Sequence, residues 1–257
     1  MKSRSIIPVV IALSLVSALC ACTREPAVGD LPTLQKANAR TIPDLGMDLI
    51  WIPSSKEAGP PFWLGRTEVT QKQWTVLMNH NFSEFKGEDL PVQNVDWNES
   101  MEFCRKLTEK ERAAGRLPAD YEFTLPSDAQ WEFACRAGTK GDYPGNIDDL
   151  AWYFLNSGGK PHPVATKQPN AWGLYDVLGN VAEWSLSGVS LYSGVPEMSS
   201  RSIRGGSWRI AASQASSTFR IFYSATDREN TVGLRVALSA VAVSKRAAVP
   251  LQAKPGR

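Results

Sequence analysis

The spacing of apolar and polar residues predicts a chain of short strands and turns that three helices interrupt. In QKQWTVLM and DAQWEFACRA, apolar residues recur at helical spacing after a Thr or Ser that precedes a Gln by three positions, a pattern typical of a capping box. A third helical pattern, ESMEFCRKLTEKERAA, has Asn98 as its expected cap and ends at Gly115. Later in the chain, aromatic fragments alternate with Gly, Pro, Asn and Ser, and VGLRVAL over residues 232–238 predicts a closing strand. We therefore expect an α+β fold that is rich in loops, with short, mostly antiparallel strands.

The first 21 residues have the pattern of a targeting segment. Lys2 and Arg4 precede the apolar run IIPVVIALSLVSAL, which ends in CAC at residues 20–22. This arrangement resembles a bacterial lipoprotein signal peptide, cleaved so that Cys22 becomes a lipidated N-terminus that holds the protein on a membrane of the cell envelope. A plain secretory signal and an uncleaved anchor are the alternatives. In a Gram-negative cell, Thr23 favours the outer membrane, with the domain facing the periplasm or the cell surface.

Composition divides the rest of the chain into three parts. Residues 22–43 have few large apolar side chains and are expected to be a tether, residues 44–238 the globular domain, and residues 239–257 a disordered basic tail. The chain has 28 Lys and Arg against 26 Asp and Glu, and the two basic residues of the signal peptide account for the difference. Because nucleic-acid binding requires a basic surface, we expect no nucleic-acid partner.

Two cysteines, Cys104 and Cys135, remain in the globular part, each on the apolar face of a predicted helix. In an oxidising compartment, an even pair of cysteines predicts a disulfide bond. Two buried free thiols, each packed as a small apolar side chain, are the alternative.

The stretch GLYDVLGNVAEW carries Asp176 and Glu183 among apolar residues. An oxygen-rich bend with a carboxylate at each end is the kind of site that Ca²⁺ occupies, and Gly179 and Val181 would supply main-chain carbonyls between the two side chains. In the alternative interpretation, Asp176 caps local amides and Glu183 pairs with an arginine such as Arg204.

The chain has few residues that could form other kinds of catalytic centre, such as an iron or zinc site or a serine nucleophile. The chain has two histidines, His80 and His162, so it cannot build a three-histidine iron site, and we expect no zinc site. It contains no G-x-S-x-G elbow, and no phosphate-binding glycine loop follows a predicted strand.

Seven stretches follow one another along residues 45–238, namely EVTQKQW, PVQNVDWNESMEFC, TLPSDAQWEFACRAG, AWYFLNSGGKPHPV, PNAWGLYDVLGNVAEW, RGGSW and VGLRVA. In this order they resemble the sulfatase-modifying-factor domain, which is the fold of the formylglycine-generating enzymes. The resemblance implies a single domain with a C-type-lectin-like fold. It also implies a structural calcium bound by the Asp176 side chain, the Gly179 and Val181 carbonyls and the Glu183 carboxylate.

The resemblance ends at the catalytic metal. In formylglycine-generating enzymes, two cysteines after the Gly-Gly-Ser-aromatic turn bind copper(I), and the matching positions here are Ile210 and Ala215. Neither side chain supplies the thiolate that copper(I) requires, so copper is not expected. Ser207 matches an active-site serine and is the one matched active-site position, while Ala182 replaces a Trp that is common in the family.

The resemblance also bears on the two thiols. In the eukaryotic enzymes, the positions matching Cys104 and Cys135 bridge to cysteines near the C-terminus. Those partner positions are not cysteines here, and one of them is Val236. The two thiols must therefore pair with each other or stay free.

These patterns favour a pseudoenzyme, namely a non-catalytic binding or scaffold lipoprotein stiffened by structural calcium. Its ligand would be an unknown protein, peptide or glycan. The loops over residues 185–231 would bind that ligand, with the candidate surface residues Trp208, Phe219, Arg220, Phe222, Tyr223 and Arg228. Ordinary packing against the core is the alternative interpretation of those side chains.

Two kinds of binding protein with this resemblance come into question. One is a scaffold lipoprotein of gliding or secretion, and the other is a variable protein of diversity-generating retroelements, against which the sparse Asn content argues. The alternative function is a periplasmic oxidoreductase of the same family, of the formylglycine-generating or pyoverdine-maturation type, with a non-standard site.

Overall fold

The structure, a computed structural model, describes residues 39–190 and 199–241, without the side chains of residues 189, 190 and 199. The predicted signal peptide, Cys22, most of the predicted tether and residues 242–257 lie outside these two ranges. Within them, no helix is both long enough and apolar enough to cross a membrane.

The described residues form nine strands in two sheets. The strands are β1 (Ala39–Ile42), β2 (Met47–Ile52), β3 (Phe62–Gly65), β4 (Tyr121–Thr124), β5 (Ala182–Ser190), β6 (Ser199–Arg204), β7 (Arg220–Ser224), β8 (Val232–Gly233) and β9 (Ala237–Ala240). The first sheet is antiparallel, in the order β1-β2-β3-β9-β4; the second has the order β7-β6-β5-β8, and its β5 and β8 are parallel. The expectation of short, mostly antiparallel strands in an α+β fold is confirmed.

The helices are α1 (Gln71–Leu77), α2 (Trp97–Ala113), α3 (Asp128–Arg136) and the single turn α4 (Ile147–Leu150). The first three are the predicted ones. At α1 and α3 the predicted capping boxes are present, because Thr70 and Ser127 each accept from the N–H three residues on and the Gln there returns the hydrogen bond.

The predicted cap of α2 is wrong. Asp96, not Asn98, caps this helix, and its carboxylate accepts from the Glu99 N–H at 2.8 Å while Glu99 accepts from the Asp96 N–H at 3.3 Å. Asn98 therefore lies in the first turn. An Asp two positions earlier offers the same kind of cap oxygen, so residue type alone did not distinguish the two.

The first sheet separates two apolar cores, because successive side chains of a strand point to opposite faces. Leu49, Trp63 and Leu238 belong to one core, whereas their neighbours Leu64 and Ala237 belong to the other. Helix α2 packs into the first core and α3 into the second.

This separation explains why the predicted disulfide bond is absent. Cys104 lies in the first core and Cys135 in the second, and both are free and buried. Burial raises the pKa of each thiol well above its usual value. The bond cannot form, because the first sheet lies between α2 and α3, the helices that carry the two cysteines.

The predicted closing strand is two strands. Residues 232–233 pair with β5 in the second sheet, and residues 237–240 pair with β3 and β4 in the first. The link between them, Leu234 to Val236, is buried and joins the two sheets.

The predicted limits of the domain were too narrow. Strand β1 lies inside the segment predicted as a tether, and its Ile42 is fully buried. At the other end, Ser239 and Ala240 belong to β9 rather than to a disordered tail.

Candidate functional site

The predicted calcium stretch lies at a buried cluster in which three carboxylates meet one guanidinium. Glu68, Asp176, Glu183 and Arg235 are each at most 1% exposed. Glu68 follows β3, Asp176 and Glu183 lie on either side of the bend that leads into β5, and Arg235 lies in the link between the sheets. With all four groups ionised, negative charge exceeds positive by two. Because buried charges must be paired or neutralised, this excess determines what the cluster can hold.

Both oxygens of Glu183 accept hydrogen bonds from buried donors. Oε1 accepts from Nε and Nη2 of Arg235 at 2.9 and 2.7 Å, and Oε2 accepts from the indole N–H of Trp131 at 2.7 Å. Arg235 also donates to the carbonyls of Gly65 and Tyr175, each at 2.8 Å. Burial alone would lower the pKa of Arg235, but the adjoining Glu183 raises it above the usual value.

Arg204, the partner suggested for Glu183, pairs elsewhere. The two residues are backbone partners between β5 and β6. However, the Arg204 guanidinium donates to Glu132 at 3.0 Å and to the Ser217 carbonyl at 2.8 Å, and it lies 5.0 Å from the centre of the Trp131 ring. Trp131 thus contacts both side chains, and each has a different ionic partner.

Asp176 is only partly satisfied. Its Oδ2 accepts from the Ala165 N–H at 2.7 Å, whereas its Oδ1 is buried without a hydrogen-bond partner. Burial raises the pKa of Asp176 to about 6. A bound cation would satisfy an unpartnered carboxylate oxygen in a cluster with excess negative charge.

Glu68 and Asn180 hold the bend in place. Glu68 accepts from the Val181 N–H at 2.9 Å and from the Asn180 side-chain amide at 2.8 Å. Asn180 in turn donates its backbone N–H to the Trp152 carbonyl at 2.8 Å. Burial, together with the nearby carboxylates of Asp176 and Glu183, raises the pKa of Glu68 well above its usual value.

Of the two carboxylates predicted to bind calcium, Asp176 has an oxygen without a partner and Glu183 does not. Gly179 and Asn180 have φ values of 77° and 49°, so the predicted sharp bend is confirmed. Asp176 keeps one buried oxygen free, whereas the oxygens of Glu183 already accept from Arg235 and Trp131. In the described ranges, no three His, Cys, Asp or Glu side chains are arranged to hold a metal. An ion here would therefore depend on Asp176 and on main-chain carbonyls.

The two positions that carry copper cysteines in formylglycine-generating enzymes are neighbours in this fold. A Cβ on Gly206 would overlap Cδ1 of Ile210 and lie 3.1 Å from the Cα of Ala215. Next to them is a cavity of about 80 Å³. It is lined by Ala182, Ile203, Gly206, Ser207, Ile210, Gln214, Phe219, Ile221, Tyr223 and Thr231. The wall is mostly apolar and contains no sulfur.

The structure divides the predicted ligand surface. Trp208 is buried, which corrects its assignment to the surface, and Phe219 is half-buried. Tyr223 is also half-buried and its ring lies 6.4 Å from that of Trp184. Arg220 and Phe222 are exposed.

Arg228 has a structural role. Its guanidinium donates to Asp96 at 2.8 Å and to Glu99 at 2.5 Å, the two residues that cap α2. It therefore fixes the segment before β8 to the start of that helix.

Sequence reasoning missed Glu68, Arg235 and the side-chain hydrogen bonds of Asn180. One of them left a signal, because Arg235 interrupts the apolar run VGLRVAL, whereas Glu68 lies in the mixed stretch RTEVT, three residues beyond the end of β3. A charged residue inside an apolar run is usually paired when it is buried. Its partner, however, is distant along the chain.

Three named proteins of similar sequence illustrate the relationship. The chain is 32% identical to the chaperone protein LppX of Paenibacillus barcinonensis, over 69% of this chain and 80% of that protein. It is 27% identical to the formylglycine-generating enzyme of Mus musculus and 30% identical to the inactive C-alpha-formylglycine-generating enzyme 2 of Bos taurus. It spans 38% and 39% of the length of those two mammalian proteins.

Two solved structures share the fold. The Treponema denticola variable protein 1 superposes with a TM-score of 0.67 at 27% identity, over 77% of this chain and 97% of that one. PvdO from Pseudomonas aeruginosa superposes with a TM-score of 0.64 over 78% of this chain and 97% of that one; at 20% identity it shows the fold alone. The family model for the sulfatase-modifying factor enzyme 1-like domain matches residues 33–240. The chain therefore belongs to the family of formylglycine-generating enzymes and their relatives.

Proposed function

We propose that this protein is a non-catalytic member of the family, anchored in the cell envelope by a lipid on Cys22, that binds another polypeptide in the manner of a chaperone. The observation that carries the proposal is that Ile210 and Ala215 lie next to each other, both beside Gly206. Two side chains without a metal-binding atom stand where the copper thiolates of an active enzyme would converge, and copper(I) requires such soft ligands.

The remaining thiols do not replace the missing pair. Cys104 and Cys135 lie in separate cores, and burial raises the pKa of each thiol above its usual value. The thiolate, and not the thiol, is the nucleophile and the metal ligand, so neither cysteine is suited to catalysis.

Similarity to named relatives supports a binding role. The relative with 80% of its length matched is called a chaperone protein, and the bovine relative is called inactive. Large apolar side chains are also exposed on the domain, with Leu155 at 78% and Phe154 at 64%. These two side chains are adjacent along the chain, and a contiguous exposed apolar patch is typical of a site that binds another protein.

Calcium is proposed as a structural ion and not as a reactant. Asp176 is the side-chain ligand that the geometry supports, through its unpartnered Oδ1. The carbonyls of Gly179 and Val181 belong to the same bend and would complete the oxygen set. Glu183 would contribute charge near the ion while it stays paired with Arg235.

The test combines metal content with binding of an unfolded protein. The full chain, loaded with copper(I) and then dialysed, should retain no copper, should leave a sulfatase peptide thiol unoxidised, and should bind reduced, carboxymethylated α-lactalbumin. As a matched control, the double variant Ile210→Cys, Ala215→Cys should retain copper under the same dialysis. Conversion of the peptide thiol to an aldehyde, or redox-active iron or copper in the purified chain, would establish the oxidoreductase alternative.

A further inference from the structure

Strand β7 has a free edge, since it is the outermost strand of the second sheet. Ser224 at its end directs both backbone groups away from β6, because its N–H donates to the Asp227 carboxylate at 2.8 Å and its carbonyl accepts from the Asp227 N–H at 3.0 Å. Backbone groups alternate in direction along an antiparallel strand. The N–H and C=O groups of Phe222 and Arg220 therefore point outward too, and no hydrogen bond outside the sheet ladder engages them in the described ranges.

Within the described ranges, this edge has one protective charge, Arg220, and lacks the other features that usually block an exposed strand. Proteins block such edges with Lys, Pro, a bulge or a covering segment. Strand β7 has the sequence RIFYS, and it pairs with β6 in continuous register from Arg220 to Ser224. Phe222 leaves 39% of its surface exposed there. The edge is therefore open for pairing with another strand.

The two faces beside the edge differ in chemistry. Ile221 and Tyr223 line the apolar cavity of about 80 Å³. On the opposite face, the ring of Phe222 lies 5.8 Å from the Arg220 guanidinium, which is 3.6 Å from Asp128. A strand added to β7 would present alternate side chains to these two faces. Small apolar side chains at every second position suit the cavity face.

A second copy of the chain satisfies this edge poorly. Antiparallel self-pairing centred on Phe222 would place Arg220 opposite Ser224 of the other copy, whose N–H and C=O already bind Asp227. The cavity-facing side chains of that copy, Ile221 and Tyr223, are already half-buried in its own fold. An extended foreign segment has neither restriction.

We infer that the outer edge of β7 binds an extended segment of a partner polypeptide as an additional strand, with small apolar side chains of that segment against Ile221 and Tyr223. The inference rests on the proposed function and specifies its docking site. Main-chain hydrogen bonds would supply affinity that tolerates many sequences, and the apolar face would supply selectivity.

The first test measures amide hydrogen exchange by NMR on the full chain, with reduced, carboxymethylated α-lactalbumin as the probe. In the free protein, the amides of Ile221 and Tyr223 should be protected by β6, and those of Arg220 and Phe222 should exchange rapidly. The probe should slow exchange at Arg220 and Phe222. Protection of Phe222 without the probe that rises with protein concentration would identify a second copy as the occupant and overturn the inference.

The second test separates the main chain from the side chain. Phe222→Ala removes the ring and keeps the outward N–H, whereas Phe222→Pro removes both, at an edge position where proline is tolerated. Loss of one hydrogen bond should weaken probe binding about 3–10-fold in the proline variant relative to the alanine variant. Val76→Ala, at an exposed apolar residue of α1, is the matched control and should retain more of the affinity than either.

The outcomes separate the two proposals. Equal binding by the proline and alanine variants would overturn the edge while leaving the binding function intact. Failure of the native chain to bind the probe at all would overturn the proposed function and the edge with it. Should the proline variant fail to fold, the exchange pattern of the native chain still decides.

Discussion

At Glu183 both carboxylate oxygens accept hydrogen bonds from buried donors, whereas at Asp176 one oxygen does and the other has no partner. The two residues lie seven positions apart on one bend and bury their charge in different ways. Glu183 is neutralised by Arg235 from a distant part of the chain. Asp176 is left to be neutralised by a proton or a cation.

Removal of one member of the buried pair Glu183–Arg235 should strongly reduce the stability of the fold. Arg235→Met leaves a buried carboxylate without its partner, which typically costs about 3–5 kcal/mol. The matched control is Arg105→Met, at an exposed arginine paired with Glu102 on α2, where the loss should be much smaller because water screens an exposed ion pair. Urea denaturation of both variants measures the difference, and similar losses would contradict the assigned role of Arg235.

Asp176 should make stability depend on calcium. An ion that binds only the folded chain adds about 2.7 kcal/mol at about 100 times its Kd. The full chain should therefore melt at a higher temperature in calcium than in EGTA. Asp176→Asn keeps an oxygen for the Ala165 N–H but loses the charge, so this variant should melt alike in both. A native chain that is indifferent to EGTA would argue against the ion.

At this scale, the sequence singled out Asp176 and Glu183, but it indicated neither the third buried carboxylate, Glu68, nor the residue that neutralises Glu183. Asp176 and Glu183 stand out locally, because charged residues rarely occur among so many apolar ones. The choice of Arg235 over Arg204 depends on how Trp131 and two strands pack, and no local pattern records it. The apolar faces of the helices likewise indicated that Cys104 and Cys135 are buried without showing that a sheet separates them.

Among the elements, the bend before β5 depends on backbone conformation. Gly179 has a φ of 77°, and a Cβ there would overlap the backbone oxygen of Trp152. Gly173, in the same stretch, has a φ of 86°, and nothing lies within 4 Å of the position of its Cβ. The two glycines share the conformational demand and differ in steric contact.

This contrast predicts different losses of stability for the two alanine variants. Gly173→Ala should cost about 1 kcal/mol, the price of a left-handed conformation for a residue with a Cβ. Gly179→Ala should cost about 1–3 kcal/mol more, because a backbone atom cannot move aside as a flexible side chain can. Urea denaturation in the presence of EGTA isolates this effect from calcium binding. Equal losses would show that the contact with Trp152 relaxes.

Predictability among the elements follows the range of the interactions. The caps of α1 and α3 depend on residues three positions apart and were predicted. The run over residues 232–238 alternates like one strand, yet it divides between two sheets. Residues 232–233 pair with β5 in the second sheet, and residues 237–238 pair with β3 in the first. The hydrophobic pattern alone does not contain that change of partner.

For the whole molecule, the domain begins earlier than composition suggests. Strand β1 extends the first sheet, and its Ile42 is fully buried in the first core. The segment ARTIP contains one large apolar residue, so its composition resembles that of a tether. Only its pairing with β2 shows that it belongs to the sheet.

This placement makes β1 part of the folding unit. A chain that starts at residue 44 should be less stable than one that starts at residue 39, by about 2–5 kcal/mol, the range for removing a buried Ile. In the full chain, Ile42→Ala should reproduce much of that loss. Thr41→Ala, at an exposed position of the same strand, should change stability by less than about 0.5 kcal/mol. Thermal or urea denaturation compares them, and equal stability of the two fragments would exclude β1 from the unit.

The link that carries Arg235 has a consequence for how the molecule assembles. Its guanidinium binds the carbonyl of Gly65 at the end of β3 and the carboxylate of Glu183 in β5, so one side chain joins both sheets. In a chain with only one sheet formed, Glu183 would lose contact with water without gaining the guanidinium of Arg235 as its partner. We therefore expect the domain to unfold in one cooperative transition, with few stable forms in which only one sheet is built and open to a protease or to aggregation.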